Sequence, residues 1–249
     1  MAIKLKYKKR TLKRVRKFKK SRKPSLQKQI RLLTRTIETK EGTRKVNNIG
    51  LTHNNVTVLS MNPFECTQGT GDPMVAGTMQ RIGDAITIKS MRFKFFVEAA
   101  EGRSKVYFRF MLVRMAKGDT LTRATLFEES CDNKMIDTIN TERFTIIASK
   151  TVNVMSPNLV ASSHILATGI PSVATVAGIT GNRIFSMTIP GKRFGKGGTI
   201  TYENASTSQV KFYDYKMAVV AYDWYGTPQD INTVGVINDG YVKTYFKDA

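Results

Sequence analysis

The chain has 249 residues, 41% of them hydrophobic, and carries 40 Lys and Arg against 19 Asp and Glu, a formal net charge of +21. That length allows one large all-β domain or two smaller ones, and no apolar run approaches the roughly 18–20 residues that a membrane span needs. The basic start Met1-Ala2-Ile3-Lys4-Leu5-Lys6 has no apolar core behind it, so no secretory leader is expected, and Cys66 and Cys131 are expected to remain reduced.

The charge is unevenly placed. Sixteen Lys and Arg and no acid fall in the first 35 positions, and through residue 45 there are 19 basic and two acidic residues, Glu38 and Glu41. The remaining 204 residues hold 21 basic against 17 acidic side chains, a nearly balanced body behind a strongly basic front. Within residues 1–24 apolar groups such as Tyr7, Val15 and Phe18 interrupt the basic runs but are too few for a core, so this segment is predicted to be a disordered arm. Lys8, Lys9, Arg10, Lys13, Arg14, Arg16, Lys17, Lys19, Lys20, Arg22 and Lys23 are its candidate phosphate contacts. A block of like charge repels itself until a polyanion supplies counter-charge, and nucleic acid does so with release of condensed counterions. A nuclear-import signal is a second use of such a segment; a membrane-surface patch would call for a lipidation site or a bulky apolar face, and neither is present.

Residues 25–41 are predicted to form an amphipathic helix after Pro24, with Ser25 as N-cap and Gly42 as stop. Leu26, Ile30, Leu33 and Ile37 share one stripe, and Lys28, Arg31 and Arg35 on the other side extend the candidate nucleic-acid contacts. A helix of about 16 residues is marginal alone, so the stripe needs its own body, a copy of itself, or nucleic acid.

After residue 50 the pattern changes to β. Strands are predicted at 52–60, 84–97, 105–115, 143–155, 183–190, 198–203, 209–224 and 241–247. In 84–97 the alternation of Ile86 and Ile88 resumes one residue late at Met91, Phe93 and Phe95, which predicts a bulge. In 105–115, Val106, Phe108, Phe110 and Leu112 form an apolar face, opposite a mixed one of Tyr107, Arg109, Met111 and Val113. A short helix is expected at 123–130, and 156–182 reads as a loop insertion. Eight such strands without βαβ alternation predict an all-β, antiparallel sandwich, jelly roll or barrel over 42–249.

No catalytic grouping emerges, so an enzyme is not expected. His53 and His164 have no metal-ligand spacing with each other or with the cysteines, and no metal or cofactor is assigned. Gly191-Lys192-Arg193-Phe194-Gly195-Lys196-Gly197 departs from the phosphate-loop pattern in spacing and reads as a basic turn, with Lys192, Arg193 and Lys196 in reach of phosphate or simply solvated. Glu128, Glu129, Asp132, Asp137 and Glu142 read as solvated surface or as partners of a basic patch on another subunit. Phe212, Tyr213, Tyr215, Tyr222, Trp224 and Tyr225 serve either sheet packing or base stacking, with one strand face at most available for the latter.

Three motifs in order carry a resemblance. Gln80-Arg81-Ile82-Gly83-Asp84 leads into Ile86, Ile88 and Phe93; Phe108-Arg109-Phe110 precedes Val113-Arg114; Arg143-Phe144-Thr145-Ile146 follows the short helix. Across residues 68–155 this resembles the single jelly-roll coat proteins of small icosahedral viruses, among them the satellite tobacco necrosis virus coat protein and the capsid proteins of small circular single-stranded DNA viruses. The region 156–182 and the chain after Trp224 depart from that likeness. The resemblance implies an eight-stranded antiparallel jelly roll of two four-stranded sheets, a shell of about 60 copies or a multiple, and a basic arm on the inside, with the helix packed around a symmetry axis. The expected function is a viral capsid protein that packages single-stranded nucleic acid by charge neutralisation, found in the virion and, before assembly, in the host nucleus or cytoplasm. Host nuclear-import machinery is a further partner under this reading, and a membrane is not. The alternative is a cellular nucleic-acid-binding protein, such as a ribosomal protein with a basic extension.

Overall fold

The computed structural model describes residues 25–27, 29–30, 39–69, 80–100, 103, 105–156, 163–165, 171–173, 181–204, 208–224 and 233–248. The chain divides into two units, Met1–Ile37 and Glu38–Ala249. In the first, Leu26, Gln27, Gln29 and Ile30 are helical, and the Gln29 amide donates to the Ser25 carbonyl at 3.0 Å. The arm, Lys28 and residues 31–38 of the predicted helix lie outside the described residues, and its last two positions, Lys40 and Glu41, are strand rather than helix because they pair with the C-terminal strand.

The second unit is all-β, with antiparallel principal sheets. It begins with a strand that sequence reading did not anticipate: β1 (Lys40–Thr52) starts where the helix was expected to end, and Gly42 lies inside it rather than acting as a helix stop. Its inward positions include Gly42, Val46 and Leu51, while Lys45, Asn47 and Asn48 face outward. Such a polar strand gives little hydrophobic signal and owes its conformation to pairing with the C-terminal strand.

The remaining strands are β2 (Asn55–Val58), β3 (Thr67–Gln68), β4 (Gln80–Arg81), β5 (Ala85–Ala99), β6 (Lys105–Ala116), β7 (Phe144–Met155), β8 (Ser163–Ile165), β9 (Pro171–Val173), β10 (Asn182–Pro190), β11 (Thr199–Thr201), β12 (Tyr213–Asp223) and β13 (Thr233–Asp248). One sheet has the order β1-β13-β5-β10, with β11 also paired to β5; another has β12-β6-β7. The two small sheets are β3-β4, which is parallel, and the β8-β9 hairpin, which lies in the region expected to be a loop. Strands of three residues are too short to show a recognisable alternation. The predicted strand at 52–60 is represented by β2, which runs beside β12: the Asn54 amide donates to Ala221 O at 2.7 Å and the Leu59 amide to Met217 O at 2.8 Å.

The inner faces of the two large sheets enclose one aromatic core. Ile86, Ile88, Met91, Phe93, Phe95 and Val97 of β5 meet Val106, Phe108, Phe110 and Leu112 of β6. Phe110 stacks on Phe185 of β10 at 4.0 Å and on Phe95 at 5.6 Å. The late phase in β5 is a bulge: Tyr245 pairs with Ser90 but Phe246 pairs with Ile88, so Lys89 is passed over. The same place interrupts the neighbouring edge. β10 ends at Pro190 opposite Ser90, and β11 resumes at Thr199 opposite Thr87.

Two 3-10 turns, Gly191–Arg193 and Lys196–Gly198, fill that gap and put Phe194 into the core. Gly191 lies so close to β5 that a Cβ there would stand 1.7 Å from the Ile88 carbonyl oxygen. Gly191→Ala is therefore expected to lower stability by about 3 kcal/mol, as for overpacking of a closed site. Gly118→Ala, strained at φ 80° but facing open space, should cost about 1–2 kcal/mol. Urea unfolding of the two variants checks the order; equal losses would contradict the close-approach account.

Candidate nucleic-acid interface

Every sequence-assigned contact on the arm and helix (Lys8, Lys9, Arg10, Lys13, Arg14, Arg16, Lys17, Lys19, Lys20, Arg22, Lys23, Lys28, Arg31 and Arg35) lies outside the described residues. The geometry below concerns the body alone.

Many body cations are structural. Arg81 is fully buried, lies 4.0 Å over the Tyr202 ring, and donates to Gly83 O at 3.0 Å and Asn204 O at 2.8 Å. The Gln80–Asp84 motif is thus a corner built on a buried guanidinium, with Gly83 turning at φ 85°. Burial pushes the adjacent Cys66 thiol up to about 11, so it is a poor nucleophile at neutral pH. Arg103 pairs with buried Asp223 at 2.7 Å. Arg193 donates to Ile147 O at 2.8 Å, which makes it a brace for the glycine-rich turn; Lys192 is exposed, and the Lys196 side chain lies outside the described set.

The two sheets differ in how their outer faces are treated. Met111, Val113 and Met115 of β6, Phe144 of β7, and Ala218 and Val220 of β12 form a second core under the connection between β6 and β7. That connection holds helix α1 (Arg123–Leu126), capped reciprocally by Thr122 and Thr125, and contributes Leu126 and Phe127 to the packing. Lys134 and Asp137, expected on the surface in the case of the acid, are instead both buried and paired at 2.5 Å. Arg109, from the mixed face of β6, reaches up to donate to Met135 O at 3.0 Å. Burial works against the Asp137 carboxylate, but the Lys134 ammonium and the Thr138 and Ser130 amides outweigh it, and its pKa falls below the usual value.

The outer face of the other sheet has no such cover among the described residues. Cross-strand register places its side chains in rows from β1 through β13 and β5 to β10. One row is Lys45, Tyr241, Lys94 and Ser186; the next is Thr43, Lys243, Arg92 and Thr188. Flanking rows are Asn47, Asp239, Phe96 and Ile184 on one side, and Glu41, Tyr245, Ser90 and Pro190 on the other. Lys243 pairs with Glu41 at 2.9 Å, a bond that raises the lysine pKa. Lys45, Arg92 and Lys94 make no ion pair among the described residues.

Sequence reading did not single out these four cations. Alternation in β5 puts Arg92 and Lys94 on one face, but Lys45 and Lys243 join them only through the β1–β13–β5 register. The aromatic candidates divide. Tyr215 is buried against Phe64 and Phe194, whereas Phe212, Tyr213 and Trp224 are exposed, with Arg114 over Tyr213 at 4.7 Å and Lys105 over Trp224 at 4.6 Å; Tyr225 lies outside the described residues. His53 is buried and accepts from the Asp223 amide. Among the described residues no three His, Cys, Asp or Glu side chains converge as metal ligands, and no helix is long and apolar enough to cross a membrane.

Comparison with known proteins finds no matching family model and no matching curated protein.

The buried Lys134–Asp137 pair generates a prediction. Asp137→Asn leaves an ammonium buried beside a neutral partner and should cost about 3–5 kcal/mol, whereas Lys134→Met with Asp137→Leu should recover most of it. Because the folded pKa of Asp137 is depressed, its contribution is present above the unfolded carboxylate value of about 3.9 and is lost as pH falls through the folded one. Hydrogen exchange should show residues 126–140 losing protection in acid before the aromatic core does; simultaneous loss would contradict the pair's local role.

Proposed function

We propose that this chain is a shell-forming coat protein that packages single-stranded nucleic acid through its basic N-terminal segment. The observation that carries the reading is strand order. Taking β10 and β11 as one strand interrupted at the β5 bulge, and β2 as the fourth strand beside β12, the sheets read β1-β13-β5-β10/β11 and β2-β12-β6-β7. Consecutive major strands then cross repeatedly between sheets, the connectivity of an eight-stranded jelly roll made of two Greek keys. This agrees with the likeness carried by the Gln80–Asp84, Phe108–Arg114 and Arg143–Ile146 motifs, which fall immediately before β5, within β6 and at the start of β7.

Charge supports the same reading. About 60 copies, each with roughly 17 positive charges in its front segment, would gather on the order of 1,000 charges, comparable to the phosphates of a genome of about 1–2 kilobases. Exposed apolar groups are available for contacts between copies: Ile82 beside the Arg81 corner, Ile136 on the covering connection, and Trp224 near Met155 at one end of the β6 sheet.

The reading is tested by electron microscopy of purified, nuclease-treated protein. Uniform closed particles with protected nucleic acid are expected; a monomer that binds RNA in a salt-sensitive way would instead favour a cellular nucleic-acid-binding protein. Deletion of residues 1–24 should leave a folded body that retains little nucleic acid, and undiminished packaging by that variant would remove the role of the basic segment.

A further inference from the structure

The outer face of the β1-β13-β5-β10 sheet, uncovered among the described residues, is not explained by folding alone. Lys243 and Arg92 occupy directly opposed positions, and like charges so placed in neighbouring strands are destabilising. The two central rows together present Lys45, Lys94, Lys243 and Arg92 and contain no carboxylate. At strand spacings of about 4.8 Å these four groups lie within a patch only one strand-width to either side of β13. Glu41, in a flanking row, compensates Lys243; Lys45, Arg92 and Lys94 have no ion-pair partner among the described residues.

A second observation on the same face is independent of charge. Lys94, Phe96, Ile184, Asp239, Gly240 and Tyr241 line an open depression of about 160 Å³. Its floor is tight: the β13 backbone at Gly240 packs directly on the Phe95 ring, and a Cβ there would stand 2.3 Å from that ring's Cδ1. Phe96 and Tyr241 are half-buried, and Ile184 is 60% exposed although it is a large apolar group in a strand. The depression is smaller than the 300–1,000 Å³ typical of small-molecule pockets and suits one flat ring. Asp239, exposed at its rim, can accept a hydrogen bond from an exocyclic or ring N–H.

We infer that this sheet face is a second binding surface for single-stranded nucleic acid, with Lys45, Arg92, Lys94 and Lys243 contacting phosphates and one base lodging between Phe96, Ile184 and Tyr241. The combination of a cationic track with an aromatic platform is the physical pattern by which single strands are held without strict sequence preference. The inference rests on the packaging reading above and extends it: the body holds a strand in a defined place, while the front segment supplies bulk neutralisation. Exposed Trp224 and Tyr213 are competing platforms, each lying under a cation, Lys105 and Arg114 respectively.

The test is photo-cross-linking of the full-length protein to single-stranded DNA and RNA oligomers containing 5-bromouracil, with adducts mapped by mass spectrometry. Adducts at Tyr241 and Phe96, besides those in the front segment, are expected with at least one of the two nucleic acids. They should fall at least fivefold in the K45Q/R92Q/K94Q variant, whose changes are all on the outward face. The salt dependence of oligomer binding should flatten in that variant by about two units of slope, from three lost contacts at about 0.7 each. Adducts confined to residues 1–24, adducts at Trp224 or Tyr213 in place of Tyr241, or an unchanged yield in the variant would each overturn the inference. Closed particles with protected nucleic acid but no adduct on this face would refute the surface and leave the shell reading standing. Adducts on this face from a protein that never closes into particles would support the surface and refute the shell.

Discussion

The body depends on the aromatic contact between its two large sheets. Phe95 of β5, Phe110 of β6 and Phe185 of β10 stack on one another, with Phe110 and Phe185 centroids 4.0 Å apart. Rings of this size contribute large buried area and a directional preference as well, so they set both the spacing of the sheets and their alignment. The glycines of β13 follow from this. At Gly235 a Cβ would stand 2.5 Å from the Phe108 ring, and at Gly240 2.3 Å from the Phe95 ring. A central strand gives up side chains, at some cost in intrinsic strand propensity, so that the rings can seat fully.

From that core the two sheets diverge in character. The β12-β6-β7 sheet is apolar on both faces because the connection after β6 folds back over it, and the cost of burying ions in that cover is offset by the Lys134–Asp137 pair and the carbonyls that Arg109 reaches. The opposite sheet is apolar only inward, and its outer rows are polar, cationic and aromatic.

Charge is organised on two scales. The sequence concentrates it ahead of the body, and the near balance of the remaining 204 residues conceals a further sorting. Several body cations, among them Arg81, Arg103 and Lys134, are consumed by folding. Others are gathered by cross-strand register onto one face, while acids are spent in pairs such as Asp223 and Asp137 or sit in the flanking rows. A net charge of a few units therefore says little about the potential over any one surface.

The sequence by itself determined the all-β class, most of the long strands, the β5 bulge and the apolar and mixed faces of β6, because period-two alternation and its phase are local signals. It also located the excess charge, which needs only counting. It did not reveal β1, since Lys40–Thr52 owes its strand conformation to pairing with β13 nearly 200 residues away, nor the β8-β9 hairpin, whose strands are too short to alternate visibly. It placed Asp137 on the surface because an acid in a polar loop carries no sign that a lysine three positions earlier is buried with it. Only the tertiary structure decided which cations share a face: Lys45, Lys243, Arg92 and Lys94 come from three strands spread along the body, and their meeting is fixed by strand register, a consequence of packing one aromatic core rather than of any pattern local to those residues.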